Sequence, residues 1–209
     1  MNTTKQPPLL IGLTGAAGTG KDTIADMLGV QRGFVKLAFA DALRAEVCAA
    51  FNVPMAYLTK RETKEHPIGA LALWNCADPG FVRAMGSHCR ITARSPRQIM
   101  QWWGTEYRRA QDHLYWVNRT GLDIDTLRSC GRPVVVSDVR FADEAELIRS
   151  NGGAIWQVTR PGLANTEGEH ASAVTGAEFA PDCVLDNDAG LPELMNSVRM
   201  ALAVTEVTA

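Results

Sequence analysis

The sequence has few cysteines, and their arrangement argues against two classes of protein. Five cysteines occur in 209 residues, an odd number that includes no CxxC pair. Disulfide-stapled and cysteine-rich zinc proteins need paired or closely spaced thiols, so we expect reduced cysteines and a cytoplasmic location. His88 and Cys89, with Cys76 upstream, offer three zinc ligands but no fourth, so buried thiols beside a surface histidine are the favoured interpretation.

Long apolar runs and an excess of positive charge are also missing. No apolar run approaches the roughly 20 residues of a transmembrane helix, and the opening MNTTKQPP lacks signal-peptide features. Lys and Arg total 21 against 23 Asp and Glu, a net charge of −2. No overall field therefore favours nucleic acid. We expect neither a membrane nor a nucleic-acid partner, and a single domain over residues 1–209.

What the sequence does contain is an alternation of short apolar segments with helix-like segments. Strands are predicted over residues 9–14, 34–40, 134–138, 154–159 and 183–186. Helices are predicted over about 21–30, 42–51, 113–129 and 191–204, with two more starting near 96 and 143. This alternation predicts an α/β fold in which a five-stranded parallel sheet carries helices on both faces.

Polar residues mark the ends of the predicted strands and the starts of the helices. Asp41 is predicted to N-cap the second helix, and Ser95 the helix that Pro96 begins. Asp143 and Glu146 have the spacing of a capping box. Ligands of parallel sheets bind beyond the carboxyl ends of the strands. The residues expected to converge there are Thr14, Asp41, Asp138 and Arg160.

The strongest motif is GAAGTGK, residues 15–21, which matches GxxxxGK between a predicted strand and a predicted helix. Glycines let the backbone approach phosphate oxygens, and the N–H groups with the helix N-terminus form an anion nest. Lys21 would reach the β- and γ-phosphates of a nucleotide. The donor-binding residues are predicted to be Gly15, Ala17, Gly18, Thr19, Gly20, Lys21, Asp22, Thr23 and Arg160.

Asp22 stands where such loops usually place a Ser or Thr that contacts Mg²⁺. Three interpretations remain open at this stage. Asp22 could complement the positive end of the helix dipole, or it could approach the magnesium shell through water. Alternatively, the Thr23 hydroxyl could take the place of the usual Ser or Thr.

A second constellation is VVVSDVRF, a buried strand that ends in an acidic residue, as in a Walker B element. Asp138 would hold Mg²⁺ or its waters, and Arg140 suits a phosphate. The predicted catalytic residues are Lys21, Asp138 and Arg140, and the predicted metal ligands are Asp22 and Asp138. The alternative is an Asp that caps nearby backbone beside a surface Arg.

Two further segments carry polar groups that could bind a second substrate. After Pro96, Arg97, Gln101, Thr105, Arg108 and Asp112 share one helical face, whereas Ile99, Trp103 and Tyr107 form an apolar stripe read as core. That polar face suits a nucleoside monophosphate, or it is simply solvated. The loop at about 160–181 contains Arg160 and His170 and is either a lid or a surface loop.

Together these segments resemble one family. GKDTIADML, KLAFADALR, SPRQIMQWWGTEYRR, VVVSDVRFADEAELIRSNGG and VLDNDAGLPEL occur in the same order as in phage-type deoxynucleoside monophosphate kinases. The resemblance covers most of the chain apart from roughly residues 66–94. GKD in place of GK[ST] looks like this family's own variant, and TKRETKE resembles its basic stretch before the acceptor-site helix.

The resemblance implies ATP-dependent phosphorylation of a deoxynucleoside monophosphate with Mg²⁺, and often a homodimer. It also implies an acceptor-binding subdomain within about residues 42–130, a lid at about 160–181, and Asn187 near the adenine of ATP. The residues expected to bind the acceptor are Asp41, Arg61, Lys64, Arg97, Gln101, Thr105, Arg108, Arg140 and His170. Two alternatives stay open: another small-molecule P-loop kinase such as dephospho-CoA kinase, or a nucleotide-binding regulator that transfers nothing.

Overall fold

The computed structural model describes residues 7–60, 62, 64–163 and 179–208. The chain divides into two compact units, which we call the sheet unit (Met1–Phe39 and Thr120–Ala209) and the inserted unit (Ala40–Arg119). Over the described part of the chain, none of the helices combines the length and apolar character that crossing a bilayer requires.

The sheet unit is built on five parallel strands. They are β1 (Leu10–Thr14), β2 (Val35–Leu37), β3 (Val134–Val136), β4 (Ala154–Thr159) and β5 (Cys183–Asp186). Their order across the sheet is β2-β3-β1-β4-β5, and every neighbouring pair runs parallel. The predicted five-stranded parallel sheet is confirmed. The chain leaves β3 on one side of β1 and resumes at β4 on the other, so β1 ends where such sheets bind their ligands.

Eight α-helices occur among the described residues. They are α1 (Lys21–Arg32), α2 (Phe39–Phe51), α3 (Ala56–Thr59), α4 (Pro79–Ala84), α5 (Pro96–Gln101), α6 (Tyr115–Ser129), α7 (Ala142–Ser150) and α8 (Leu191–Thr208). The α5 helix continues as a π-helix over Trp102–Arg109, and two short 3₁₀ turns span Gly69–Leu71 and Leu73–Asn75.

Helices cover both faces of the sheet, as predicted. Alternate side chains of a strand point to opposite faces, and the two faces have separate cores. Ile11 and Trp156 belong to the core that contains Ile24 of α1 and Leu194 of α8. On the other face, residues such as Leu10 and Ile155 pack in a core with Ile124 of α6 and Ile148 of α7.

Two predicted helix caps are wrong, and in both cases another carboxylate does the capping. Helix α2 begins at Phe39 because Oδ1 of Asp138 accepts a 2.7 Å hydrogen bond from the Phe39 N–H. Asp41 therefore lies in the first turn, where it pairs with Arg44 at 2.7 Å. At α7, the predicted Asp143–Glu146 box is replaced by Glu144, which accepts from the backbone N–H of Phe141 at 3.2 Å.

The inserted unit has its own hydrophobic core, and residues 66–94, which matched no pattern, supply much of it. The predicted Ser95 cap is confirmed by a 3.2 Å bond to the Gln98 N–H. The predicted apolar stripe is confirmed as well, because its three members are buried. Against that stripe packs Phe81, whose ring centroid lies 4.6 Å from that of Trp103 and 5.4 Å from that of Tyr107. Residues 66–94 therefore complete the hydrophobic core of this unit.

Replacing Phe81 by alanine tests whether residues 66–94 stabilise the inserted unit. Phe81 is completely buried, so Phe81→Ala should leave a cavity and lower the free energy of unfolding by about 3–5 kcal/mol. Urea unfolding followed by tryptophan fluorescence measures the loss. Trp74→Ala, at a side chain in the same segment that is 73% exposed, should change stability by at most about 0.5 kcal/mol. Equal effects of the two substitutions would contradict the described packing.

Candidate active site

The loop between β1 and α1 has a backbone that glycine alone adopts readily. Gly15, Gly18 and Gly20 have φ of 138°, 81° and 107°, values that side chains disfavour. The loop also has no room for side chains at two of these positions. A Cβ on Gly15 would lie 2.2 Å from the carbonyl oxygen of Val158 in β4, and one on Gly20 would lie 2.5 Å from Nδ2 of Asn187. The phosphate-loop geometry predicted from GxxxxGK is therefore present.

Side chains fix this loop from both ends. Oγ1 of Thr19 donates to the carbonyl of Ala16 at 2.9 Å, within the loop. Nδ2 of Asn187 donates to the carbonyl of Thr19 at 2.8 Å, and the Asn187 backbone N–H donates to Thr159 at 2.8 Å. Asn187 was expected near the adenine of ATP. The structure places its amide on the loop, a contact that ties β4, the segment after β5 and the loop together.

Lys21 folds back over the loop that it follows. Its Nζ donates to the carbonyls of Gly15 at 2.6 Å and Ala16 at 2.7 Å. Burial, and then the positive charge of Arg140, lower the pKa of Lys21 below its ordinary value, while Asp22 and Asp138 act in the opposite direction. Arg140, Asp22 and Asp138 therefore each lie close enough to Lys21 to act on its charge, so the structure places the predicted catalytic residues near one another in the sheet unit.

The segment after β3 is held by a carboxylate that the sequence analysis missed. Glu144 is only 3% exposed, and its Oε2 accepts hydrogen bonds from the backbone N–H groups of Arg140 at 2.8 Å and Phe141 at 3.2 Å. These bonds fix the backbone from which the exposed Arg140 side chain extends. The available signal is that Glu144 follows Phe141 by three positions, the spacing of a capping box, but the sequence pattern favours the neighbouring Asp143 as the cap.

Asp22, at the position of the usual Ser or Thr, points to a cation on the next strand. Lys36 of β2 pairs with Asp22 at 2.8 Å and with Asp26 at 3.1 Å. Burial alone would lower the pKa of Lys36, but hydrogen bonds to the two carboxylates outweigh it and raise that pKa. The Asp22 side chain is 83% exposed and lies in the first turn of α1, so it also complements the helix dipole. Thr23 follows it, half-buried.

The remaining predicted acceptor residues fall mostly in the inserted unit. Arg97 pairs with the exposed Glu65, and its backbone N–H donates to the carbonyl of Lys64 at 3.0 Å. Gln101 donates to Glu106 at 3.2 Å, and Thr105 is exposed. Arg108 differs from Arg97 because it pairs with the partly buried Glu46 at 2.8 Å.

Three further predicted residues are Arg160, Arg61 and His170. Arg160 is exposed at the end of β4, where its carbonyl accepts from the Leu163 N–H at 3.2 Å. Arg61 and His170 lie outside the described residues, as does most of the loop predicted to be a lid. Among the described residues, no group of three or more His, Cys, Asp or Glu side chains has a metal-binding arrangement.

Comparison with known proteins shows which family the chain resembles. The family model for deoxynucleotide monophosphate kinases matches residues 88–198. A protein of Acanthamoeba polyphaga mimivirus, provisionally named a deoxynucleotide monophosphate kinase, is 26% identical over 205 residues, which cover 91% of this chain and 94% of its own. The deoxynucleotide monophosphate kinase of Enterobacteria phage T4 is 24% identical over an alignment covering 93% of this chain and 99% of the phage protein.

A solved structure supports the fold. The Thermus thermophilus protein TT1252 superposes with a TM-score of 0.50 at 18% identity, over 98% of this chain and 100% of its own. A match to the family model over more than half of the chain, together with the phosphate loop, identifies the chain as a P-loop kinase that belongs to the deoxynucleotide monophosphate kinase family.

Proposed function

We propose that this kinase transfers the γ-phosphoryl group of ATP to a deoxynucleoside monophosphate, which releases ADP and a deoxynucleoside diphosphate. The observation that carries the proposal is the glycine loop fixed against β4, with Lys21 bound to its carbonyls and within reach of the charges of Asp138 and Arg140. A constrained loop of this kind binds the phosphates of a donor nucleotide. Family membership then supports a deoxynucleotide as the acceptor.

The donor half of the site consists of the loop and Lys21. Backbone N–H groups of residues 15–20 and the N-terminus of α1 would bind the β- and γ-phosphates of ATP. The Lys21 ammonium, which donates to two loop carbonyls, would exchange these for phosphate oxygens. We also propose that Arg160 and Asn187 contribute to donor binding, with Thr23 supplying a hydroxyl near the phosphates.

We also propose Mg²⁺ as a cofactor, because this end of the sheet offers the carboxylate oxygens of Asp22 and Asp138. The ion prefers oxygen ligands and is usually held by one or two carboxylates together with waters and substrate phosphates. Asp138 and Asp22, which both act on the Lys21 charge, are the residues that would hold it, directly or through water. When bound, Mg²⁺ would neutralise charge on the transferring phosphoryl group.

In the acceptor half of the proposed site, cations that bind phosphate matter more than a general base that would deprotonate the acceptor. The second pKa of a phosphate is about 6, so the attacking oxygen is already largely ionised at neutral pH. What must be overcome is repulsion between two polyanions, and we propose that Arg140, whose charge acts on Lys21, helps to offset it. The other proposed acceptor residues are Asp41, Lys64, Arg97, Gln101, Thr105 and Arg108, with Arg61 and His170 outside the described residues.

We further propose the arrangement in which this chemistry takes place. The chain would act as one kinase domain, with an acceptor-binding subdomain within about residues 42–130 and a lid at about 160–181 that excludes water. We expect a cytoplasmic enzyme that forms a homodimer. Its substrates would be small molecules, with no role for nucleic acid or membranes.

A panel of acceptors tests the proposed reaction. ADP release should be measured with ATP and each of the four common deoxynucleoside monophosphates, the matching ribonucleotides, dephospho-CoA, or no acceptor. We expect release that depends on at least one deoxynucleotide. Preferential use of dephospho-CoA would favour the other small-molecule kinase, and ADP release without any acceptor would favour an ATPase or a regulator.

Lys21 is the residue whose loss should affect transfer most. Lys21→Ala removes the charge that offsets the donor phosphates, so the rate of transfer should fall by about 10²–10³-fold or more. Because the hydrogen bonds of the Lys21 side chain among the described residues go to loop carbonyls, the melting temperature should change little. Arg199→Ala, at an exposed position on α8, is a control for charge loss. Near-wild-type turnover by Lys21→Ala would contradict the assignment.

The lowered pKa of Lys21 predicts how ATP affinity depends on pH. Only the protonated amine attracts phosphate, and phosphate binding must raise its pKa again, so by linkage ATP binding weakens as pH rises. The weakening should begin below the ordinary lysine pKa of 10.5, because burial and Arg140 lower the free-protein value. ATP affinity measured by calorimetry at increasing pH should fall in the wild type and stay flatter in Lys21→Arg, whose guanidinium remains charged. Equal slopes would contradict the role of Lys21.

A further inference from the structure

A carboxylate in the inserted unit is bound by three donors from two other elements. Glu46 of α2 accepts at Oε2 from Nε1 of Trp103 at 2.8 Å and from Nε of Arg108 at 2.8 Å. Its Oε1 accepts from the hydroxyl of Tyr115, at the start of α6. Neither the motifs nor the resemblance singled out Glu46. The side chains of Glu46 and Arg108 are 24% and 22% exposed, so the pair is partly buried and solvent still reaches it.

Aromatic rings surround the guanidinium of Arg108, in addition to the hydrogen bond that its Nε donates to Glu46. Its Cζ lies 5.5 Å from the ring centroid of Trp103, 4.9 Å from that of Tyr107 and 5.0 Å from that of Tyr115. Guanidinium groups stack favourably on aromatic rings at such distances. Glu46 fixes two of these rings through the hydrogen bonds from Trp103 and Tyr115, so the same carboxylate orients Arg108 directly and through its surroundings.

The third ring is fixed by residues 66–94. The hydroxyl of Tyr107 donates to Asp78, with distances of 3.1 and 3.2 Å to the two carboxylate oxygens. Asp78 also caps α4 by accepting from the Phe81 N–H at 2.9 Å. Gly80 leaves the necessary space, because a Cβ there would lie 2.6 Å from the Tyr107 hydroxyl oxygen. Every ring around Arg108 is therefore held in place by a hydrogen bond.

This arrangement fixes the guanidinium of Arg108, although only one of its three nitrogens, Nε, donates a hydrogen bond to Glu46. Among the described residues, the hydrogen-bond partner of Arg108 is Glu46, through Nε. Nη1 and Nη2 form the edge of the guanidinium that matches two oxygens of a phosphate. By contrast, the pair between Arg97 and Glu65 is 60% and 62% exposed, so solvent screens it and neither side chain is held by packing.

We propose that Glu46 is a positioning residue for the acceptor nucleotide: it holds the Arg108 guanidinium so that its terminal nitrogens bind the phosphate of the deoxynucleoside monophosphate. This inference rests on the proposed function. Glu46 does not touch the substrate itself. It supplies a fixed orientation, so that the rotational freedom of a long arginine side chain is already lost before the acceptor binds.

Glu46→Gln and Arg108→Lys test the proposal separately. Each should raise KM for the deoxynucleoside monophosphate by about tenfold or more, because a charged hydrogen bond is lost or misdirected, while KM for ATP stays within about twofold of wild type. The double variant should be no worse than Arg108→Lys alone, because Glu46 acts through Arg108. Calorimetric binding of the deoxynucleotide without ATP should weaken in parallel. Glu146→Gln and Arg199→Lys, both exposed, are matched controls.

A purely structural role for Glu46 gives a different result. In that case Glu46→Gln would lower the melting temperature but leave KM for the acceptor unchanged in the folded protein, and the two substitutions would have additive effects. Either result would overturn the proposal. If Glu46→Gln does not fold, Tyr115→Phe decides, because it keeps the ring and removes one donor to Glu46. It should raise KM for the deoxynucleotide several-fold, and an unchanged value would overturn the proposal.

Failure of the proposed function would look different from failure of this inference. A wild-type protein that transfers phosphate to no deoxynucleotide would contradict the proposed reaction before any variant is compared. A wild-type protein that is active, alongside variants with unchanged acceptor KM and binding, would contradict only the role of Glu46.

Discussion

The contact between the glycine loop and the neighbouring strand is the constraint on which the rest of the site depends. The carbonyl of Val158 lies where any Cβ on Gly15 would sit, and the amide of Asn187 occupies the corresponding space at Gly20. A side chain at either position would therefore force the loop or its neighbours to shift. A backbone anion nest is effective only when its N–H groups are already aligned, because aligning them during binding would cost conformational entropy. Strand β4 supplies this alignment by pairing beside β1.

The second requirement is a balance of charge at the ends of the central strands. Lys21 and Arg140 repel each other, and burial makes the Lys21 charge still less favourable, whereas Asp22 and Asp138 offset part of this. Anionic phosphate would relieve the same repulsion. The free protein thus keeps two cations close together, supported by the hydrogen bonds of Lys21 to the loop and of Glu144 to the Arg140 backbone. Such preorganised charge is the main means by which proteins accelerate phosphoryl transfer.

Much of the sheet unit could be predicted from sequence because local signals there agree with the tertiary structure. Strands β4 and β5 occupy the residues that were predicted, and GxxxxGK has the expected loop conformation. The wrong caps at Asp41 and Asp143 arose because capping by Asp138 at α2 is a long-range contact, and because two acidic residues compete at α7. Residues 66–94 form short helical turns without a regular period, so only their packing on Trp103 and Tyr107 reveals their contribution. Glu46 was missed for the same reason, since its partners lie 57 to 69 positions away.

The most direct test of the account follows the phosphoryl group itself. The protein should be incubated with Mg²⁺, a deoxynucleoside monophosphate and ATP labelled in the γ-phosphate, and the products should be separated. Direct transfer predicts that the label appears in the deoxynucleoside diphosphate, with one ADP formed for each labelled product. Two other results are recovery of the label only as inorganic phosphate, and retention of the label in ATP with every deoxynucleotide tested. Either result would contradict the conclusion that the glycine loop and Lys21 serve phosphoryl transfer between two nucleotides.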